Sequence, residues 1–197
     1  RILLKVFGFL FTVFVVRQLG DEQYGRYAIA AAWVGLFSIF VELGITQFAM
    51  REIARSGQHT AELFWNRVAM RLALALVGVV VIPVGAGLVG YAGDITFGVF
   101  LYVLTFVISA FQAPLEATLA ARKAFGWLMV TMDVGQVSWL ILGAAVVWFR
   151  PDFVWLIGVG VITMLPQLAV DVWVAARLKL IDWRVRLQPS LWPRLIR

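Results

Sequence analysis

"RQLGDEQYGRY", residues 17–27, separates two stretches that are apolar on every side. Here the chain places two acids, two arginines and two glycines, and then turns apolar again. Such an interruption reads as a turn at a membrane surface. Gly20 and Gly25 permit sharp backbone bends. Asp21 or Glu22 suits the start of the next helix, where the dipole favours negative charge. Tyr24 and Tyr27 suit the headgroup level.

Composition supports that reading. The 197 residues are 62% hydrophobic, with mean hydropathy +0.92, against about 45–50% apolar residues in soluble domains. The apolar blocks reach the length of about 20 residues that a helix needs to cross a bilayer. A membrane barrel would instead alternate polar and apolar positions. Six segments emerge, at roughly 2–16, 27–50, 68–91, 97–120, 127–149 and 153–176. The expected fold is all-α: a polytopic transmembrane helix bundle over 1–176, followed by a basic amphipathic cytoplasmic linker at 177–197, whose last residues read either as the close of the linker or as the start of a seventh span. The chain opens with Arg1 inside an apolar run, which fits a fragment of a longer protein.

The loops predict orientation. Those at 17–26, 92–96 and 150–152 hold three of the 17 lysines and arginines, namely Arg17, Arg26 and Arg150, and the other side holds 14. Cytoplasmic loops collect Lys and Arg, so the N-terminus and the even-numbered loops are expected to face the cytoplasm. The net charge of +6 is then an orientation signal toward anionic headgroups, and no nucleic-acid partner is needed.

Catalysis is not expected. With no cysteine and one histidine, His59, the chain offers no disulfide framework and little for a metal. Phosphate-loop, paired-histidine and serine-elbow motifs are missing from the sequence. "GYAGD" at 90–94 is a turn. A transporter or channel without cofactor or metal is favoured over an enzyme.

Charged residues inside spans are costly and therefore functional candidates. The acids are Glu42, Glu116, Asp133 and Asp171, joined by Gln47, Gln112, Gln136 and Gln167. All four acids fall in the cytoplasmic half of their spans, which suggests a cavity open to that side. Glu42 and Asp133 are the deeper pair, and Asp133 shares a helix face with Gln136. Glu116 and Asp171 stand close enough to Arg122 and Arg177 to form interface pairs instead. Lys5 either snorkels to the surface or meets a phosphate. Arg51 and Arg55 serve as orientation charges or grip an anion, and His59 reads as a loop residue. The candidate cavity set is Glu42, Asp133, Gln136, Lys5, Arg51, Glu116 and Gln112. Pro83 and Pro114 fall inside spans as hinges or static kinks.

The stretch "RQLGDEQYGRYAIAAAWVGLFSIFVELGITQFAMREIAR", residues 17–55, resembles the polysaccharide biosynthesis proteins. These are Wzx-type oligosaccharide-lipid flippases of the multidrug/oligosaccharidyl-lipid/polysaccharide exporter superfamily. The similarity lies in R-x-LG-x-x-x-YG-x-Y, then Glu42-Leu43-Gly44, then the R-E-I-A-R exit. It implies the N-terminal lobe of a two-lobed, MATE-like transporter of 12–14 helices, moving a polyprenyl-diphosphate-linked oligosaccharide across the cytoplasmic membrane by alternating access. The implied partners are the lipid-linked oligosaccharide, membrane lipids, a polysaccharide polymerase with chain-length proteins, and a coupling ion. Two alternatives stay open: a cation-coupled multidrug exporter of the same superfamily, and a non-transporting scaffold for glycan assembly.

Overall fold

The computed structural model describes residues 2–42 and 60–181, with the side chains of 6–39 and 64–181. These residues form five helices: α1 (Ile2–Glu42), α2 (Thr60–Val89), α3 (Gly93–Ala121), α4 (Phe125–Phe149) and α5 (Phe153–Arg177). A helix satisfies its backbone hydrogen bonds within itself, which is what an apolar segment needs in lipid. Pro83, Pro114 and Pro166 lie inside helices without ending them. Asp152 caps α5 by accepting from the Val154 N–H at 2.7 Å.

Among the described residues, four helices are long and apolar enough to cross a membrane: Phe64–Val89 within α2, and α3, α4 and α5. The count of six expected from sequence is not established. Its first two segments fall within α1 and partly outside the described residues.

α1 is not a straight rod, because Gly20 breaks it with φ 71° and ψ 172°. This region of backbone space is essentially restricted to glycine. Before Gly20, a Cβ on Gly8 would stand 3.4 Å from Gln136, and Phe11 meets Trp139 with ring centroids 5.6 Å apart. That arm therefore runs alongside α4 in the same direction. After Gly20, Arg26 pairs with Asp94 in the first turn of α3. Trp33 then donates to the Ile82 carbonyl at 3.1 Å, and Ser38 shares a cavity wall with Arg71. Contacts at Ile82 and then Arg71 mean that the second arm descends α2. The chain thus reverses at Gly20, where the turn was expected. Gly25, also expected to bend, lies within the helix.

Toward the Gly20 end, Val15, Leu19, Ala30, Val99, Val147 and Phe153 share a buried cluster. At the opposite end Phe64, Val68, Leu115 and Ala175 form a second cluster, and Ile181 joins it after α5 has ended. The expected linker is therefore described only as far as residue 181, and its remainder lies outside the described residues.

Lipid tails are as apolar as leucine, so these helices are held by close packing rather than by exclusion from water. A Cβ on Gly98 would stand 2.8 Å from the Phe153 ring, and one on Gly143 would stand 2.7 Å from Phe11. Leu76, Val77, Val80, Val81, Val84 and Leu88 of α2 face outward. In water this apolar wall would be unstable, whereas in a bilayer it is solvated. The protein is a multi-pass membrane protein.

Candidate functional site

Three helices carry polar side chains four residues apart, which places each pair on one helix face. They are Arg67 and Arg71 on α2, Gln112 and Glu116 on α3, and Gln167 and Asp171 on α5. α2 begins, and α3 and α5 end, at the bundle end opposite Gly20, so the three pairs converge there. Gln167 donates from Nε2 to Glu116 Oε1 at 2.9 Å. Glu116 lies within electrostatic reach of both Asp171 and Arg71. Thr131 of α4 and Gln112 lie beside the Asp171 carboxylate.

Four of the six are buried, and Glu116 and Gln167 are half-buried. Asp171 is 0% exposed, Arg67 1%, Arg71 3% and Gln112 5%. Asp171 is buried with only the neutral Thr131 and Gln112 beside its carboxylate, and among the described residues Nε and Nη1 of Arg67 have no hydrogen-bond partner. Unmet hydrogen bonds on buried charges are costly. Arg67 and Arg71 also repel each other, being neighbours of like charge. An anion entering beside the two arginines would offset the repulsion between them.

A cavity leads from this cluster into the bundle. One compartment, of about 230 Å³, is lined by Ser38, Arg71, Thr105, Phe106, Ser109 and Met164, among others. A second, of about 410 Å³, is lined by Tyr27, Tyr102, Thr105, Trp139, Thr163 and Met164, together with Gly160. Thr105 and Met164 belong to both, so the compartments adjoin. From Ala113 in the first to Tyr102 in the second, α3 rises ~16 Å. The cavity thus carries a guanidinium at one end and aromatic rings and hydroxyls toward the other.

The candidate residues divide between places. Glu116, half-buried, and Gln112, buried, lie in the cluster. Asp133 and Gln136 are half-buried on α4, with Gln136 against the first arm of α1 at Gly8. Lys5 and Glu42 lie in α1, but their side chains are outside the described residues, as is the whole of Arg51.

Asp171 and Tyr27 stand elsewhere than the sequence suggests. Asp171 does not form an interface pair with Arg177, whose guanidinium lies over the Trp173 ring at 5.1 Å. Asp171 instead points into the bundle. Tyr27 is no headgroup anchor, since it lines the inner cavity with Tyr102.

The cavity set expected from sequence omits Arg67 and Arg71, which fall at the start of the 68–91 segment beside a basic stretch. Helix α2 begins at Thr60, so both are well inside it. The spacing of four shared by three polar pairs was the available signal.

The family model described as polysaccharide biosynthesis protein matches residues 1–188. No curated protein and no solved structure matches the chain. With nearly its whole length matched, this chain belongs to the polysaccharide biosynthesis protein family.

Proposed function

We propose that the protein is a flippase, carrying a polyprenyl-diphosphate-linked oligosaccharide across the cytoplasmic membrane for surface polysaccharide assembly by alternating access. The observation that carries this reading is the cavity with Arg71 at one end and Tyr27, Tyr102 and Trp139 toward the other. A diphosphate needs a cation, and arginine supplies planar, permanently charged donors. A sugar headgroup needs hydroxyls and ring faces inside an otherwise apolar bilayer. The polyprenyl tail stays in lipid, beside the apolar outer face of the helices.

The excess of Lys and Arg at the Arg71 end supports a cytoplasmic placement of that end, from which the diphosphate would load on the side where lipid-linked sugars are built. On this reading the chain forms one lobe of a two-lobed transporter and does no covalent chemistry. The lipid-linked oligosaccharide is its substrate, and a polymerase with its chain-length proteins consumes what it delivers. Asp171 and Glu116, adjacent carboxylates at the same end, supply a place for a coupling cation.

The test is complementation. The parent gene, and its Arg71→Ala form, are expressed in its native host after deletion of the chromosomal copy. Surface polysaccharide restored by the parent and lost in the variant at equal protein level supports the flippase. Unchanged surface polysaccharide in the deletion strain overturns it, and altered sensitivity to cationic drugs would then point to export.

A further inference from the structure

The larger compartment has a chemistry of its own. Thr105 donates its hydroxyl proton to the Tyr102 carbonyl at 2.6 Å, and Thr163 donates to the Gly160 carbonyl at 2.9 Å. In the adjoining compartment Ser109 donates to Phe106 at 3.0 Å and Ser38 to Gly35 at 2.7 Å. A hydroxyl has one proton and two acceptor lone pairs. With its proton returned to its own helix, each of these groups presents acceptors to the cavity. Tyr27 and Tyr102 lie within hydrogen-bonding reach of each other, so one phenolic proton is engaged there as well.

The wall thus offers more acceptors than donors, which suits a ligand with several hydroxyls to donate. Among the described residues its lining holds no carboxylate, lysine or arginine. The remaining donors are neutral, one phenolic O–H and the Trp139 indole N–H, so a ligand carboxylate would be desolvated here among many lone pairs with no cation in this compartment.

Trp139 adds a flat surface. Phe11 packs edge-on against it, with an interplanar angle of 81°. Gly160 brings α5 close on another side, where a Cβ would stand 3.4 Å from the indole. The indole is thus fixed by packing. The C–H face of a pyranose is apolar and faintly positive, which suits the negative face of an aromatic ring. The volume of about 410 Å³ lies within the roughly 300–1,000 Å³ of small-molecule sites.

We infer that the compartment lined by Tyr27, Tyr102, Thr105, Trp139 and Thr163 is a binding site for an uncharged pyranose, and that it selects neutral sugars against uronic acids. The inference deepens the flippase reading and rests on it for its biological role, but binding can be tested without transport. The purified intact protein in nanodiscs is examined by saturation-transfer NMR. The probes are the methyl glycosides of glucose, galactose, mannose, rhamnose and N-acetylglucosamine, with glucuronate and galacturonate beside them.

At least one neutral glycoside should bind, and neither uronate should. Trp139→Ala should weaken that binding about tenfold, while Trp139→Phe, which keeps a ring, retains most of it. Thermal melting of both variants confirms that they are folded. Absence of binding by every neutral glycoside, equal binding of a uronate, or binding untouched by Trp139→Ala in a folded protein overturns the inference. Polysaccharide export in the deletion strain is read separately, so loss of either claim leaves the other visible.

Discussion

Gln167 reaches Glu116 through space that Gly135 leaves open. A Cβ at position 135 would collide with the Gln167 side chain, which donates to Glu116 at 2.9 Å. One glycine on α4 thus permits a polar bond between α5 and α3.

Gly135→Ala is accordingly expected to lower stability by about 1–3 kcal/mol, the usual cost of overpacking. The alanine's better helix propensity, worth up to about 1 kcal/mol, offsets part of that. Gln167→Ala removes a hydrogen bond to a charged group and is expected to cost about 1.5–3 kcal/mol. Because both changes act on one contact, the double substitution should cost less than the two together. Thermal melts of the four proteins check this, and full additivity would show that the two residues do not interact.

Gly20 and Gly25 separate two roles that look alike in the sequence. Gly20→Ala forces a side chain into a glycine-only backbone region and is expected to cost about 1–3 kcal/mol, although nothing lies within 4 Å of its Cβ position. Gly25→Ala, inside the helix with equal space, should be neutral or stabilising by about 0.5–1 kcal/mol. Folded yield and melting temperature in detergent read the contrast. Equal effects would remove the turn from Gly20.

The tie between Arg26 and Asp94 joins the second arm of α1 to the first turn of α3, and Glu22 accepts from the same guanidinium at 2.5 Å. Both Arg26 and Asp94 are 35% exposed, so loss of the pair through Asp94→Asn should cost no more than about 1 kcal/mol. A melt in low and high salt tests this, with the difference from the parent shrinking as salt rises.

Arg71→Lys keeps the charge at the cavity wall but loses the planar donor fork. It should retain part of the export activity, while Arg71→Ala should reduce it by at least about tenfold, the scale of a lost charge-assisted hydrogen bond. Surface polysaccharide normalised to protein level distinguishes the two. Equal loss in both variants would mean that geometry, not charge, decides.

The turn at 17–27 was legible because glycine, acid and tyrosine each have a physical reason to stand between apolar runs. The bundle was legible because its segments are long and apolar throughout. The cluster was legible only in part. Glu116 and Gln112 announce themselves as polar groups in apolar context, but Arg67 stood at the edge of a basic stretch. Chain position alone does not tell a loop charge from one buried inside a helix. Asp171 was visible, but its neighbour was misassigned, because a cation six residues along the helix need not share its face. The hydroxyl-lined compartment was not legible at all. Thr105, Trp139 and Thr163 are ordinary span residues until α1 folds back at Gly20 and places Tyr27 among them.

The most direct measurement is the side of the membrane on which the lipid-linked oligosaccharide lies in living cells, read by its oxidation with a membrane-impermeant reagent. If this protein moves it, a strain that lacks the protein, or carries only Arg71→Ala, should hold the oligosaccharide protected while the parent strain exposes it. Equal oxidation in all three strains would mean that the oligosaccharide crosses without this protein, and the cavity would need another occupant.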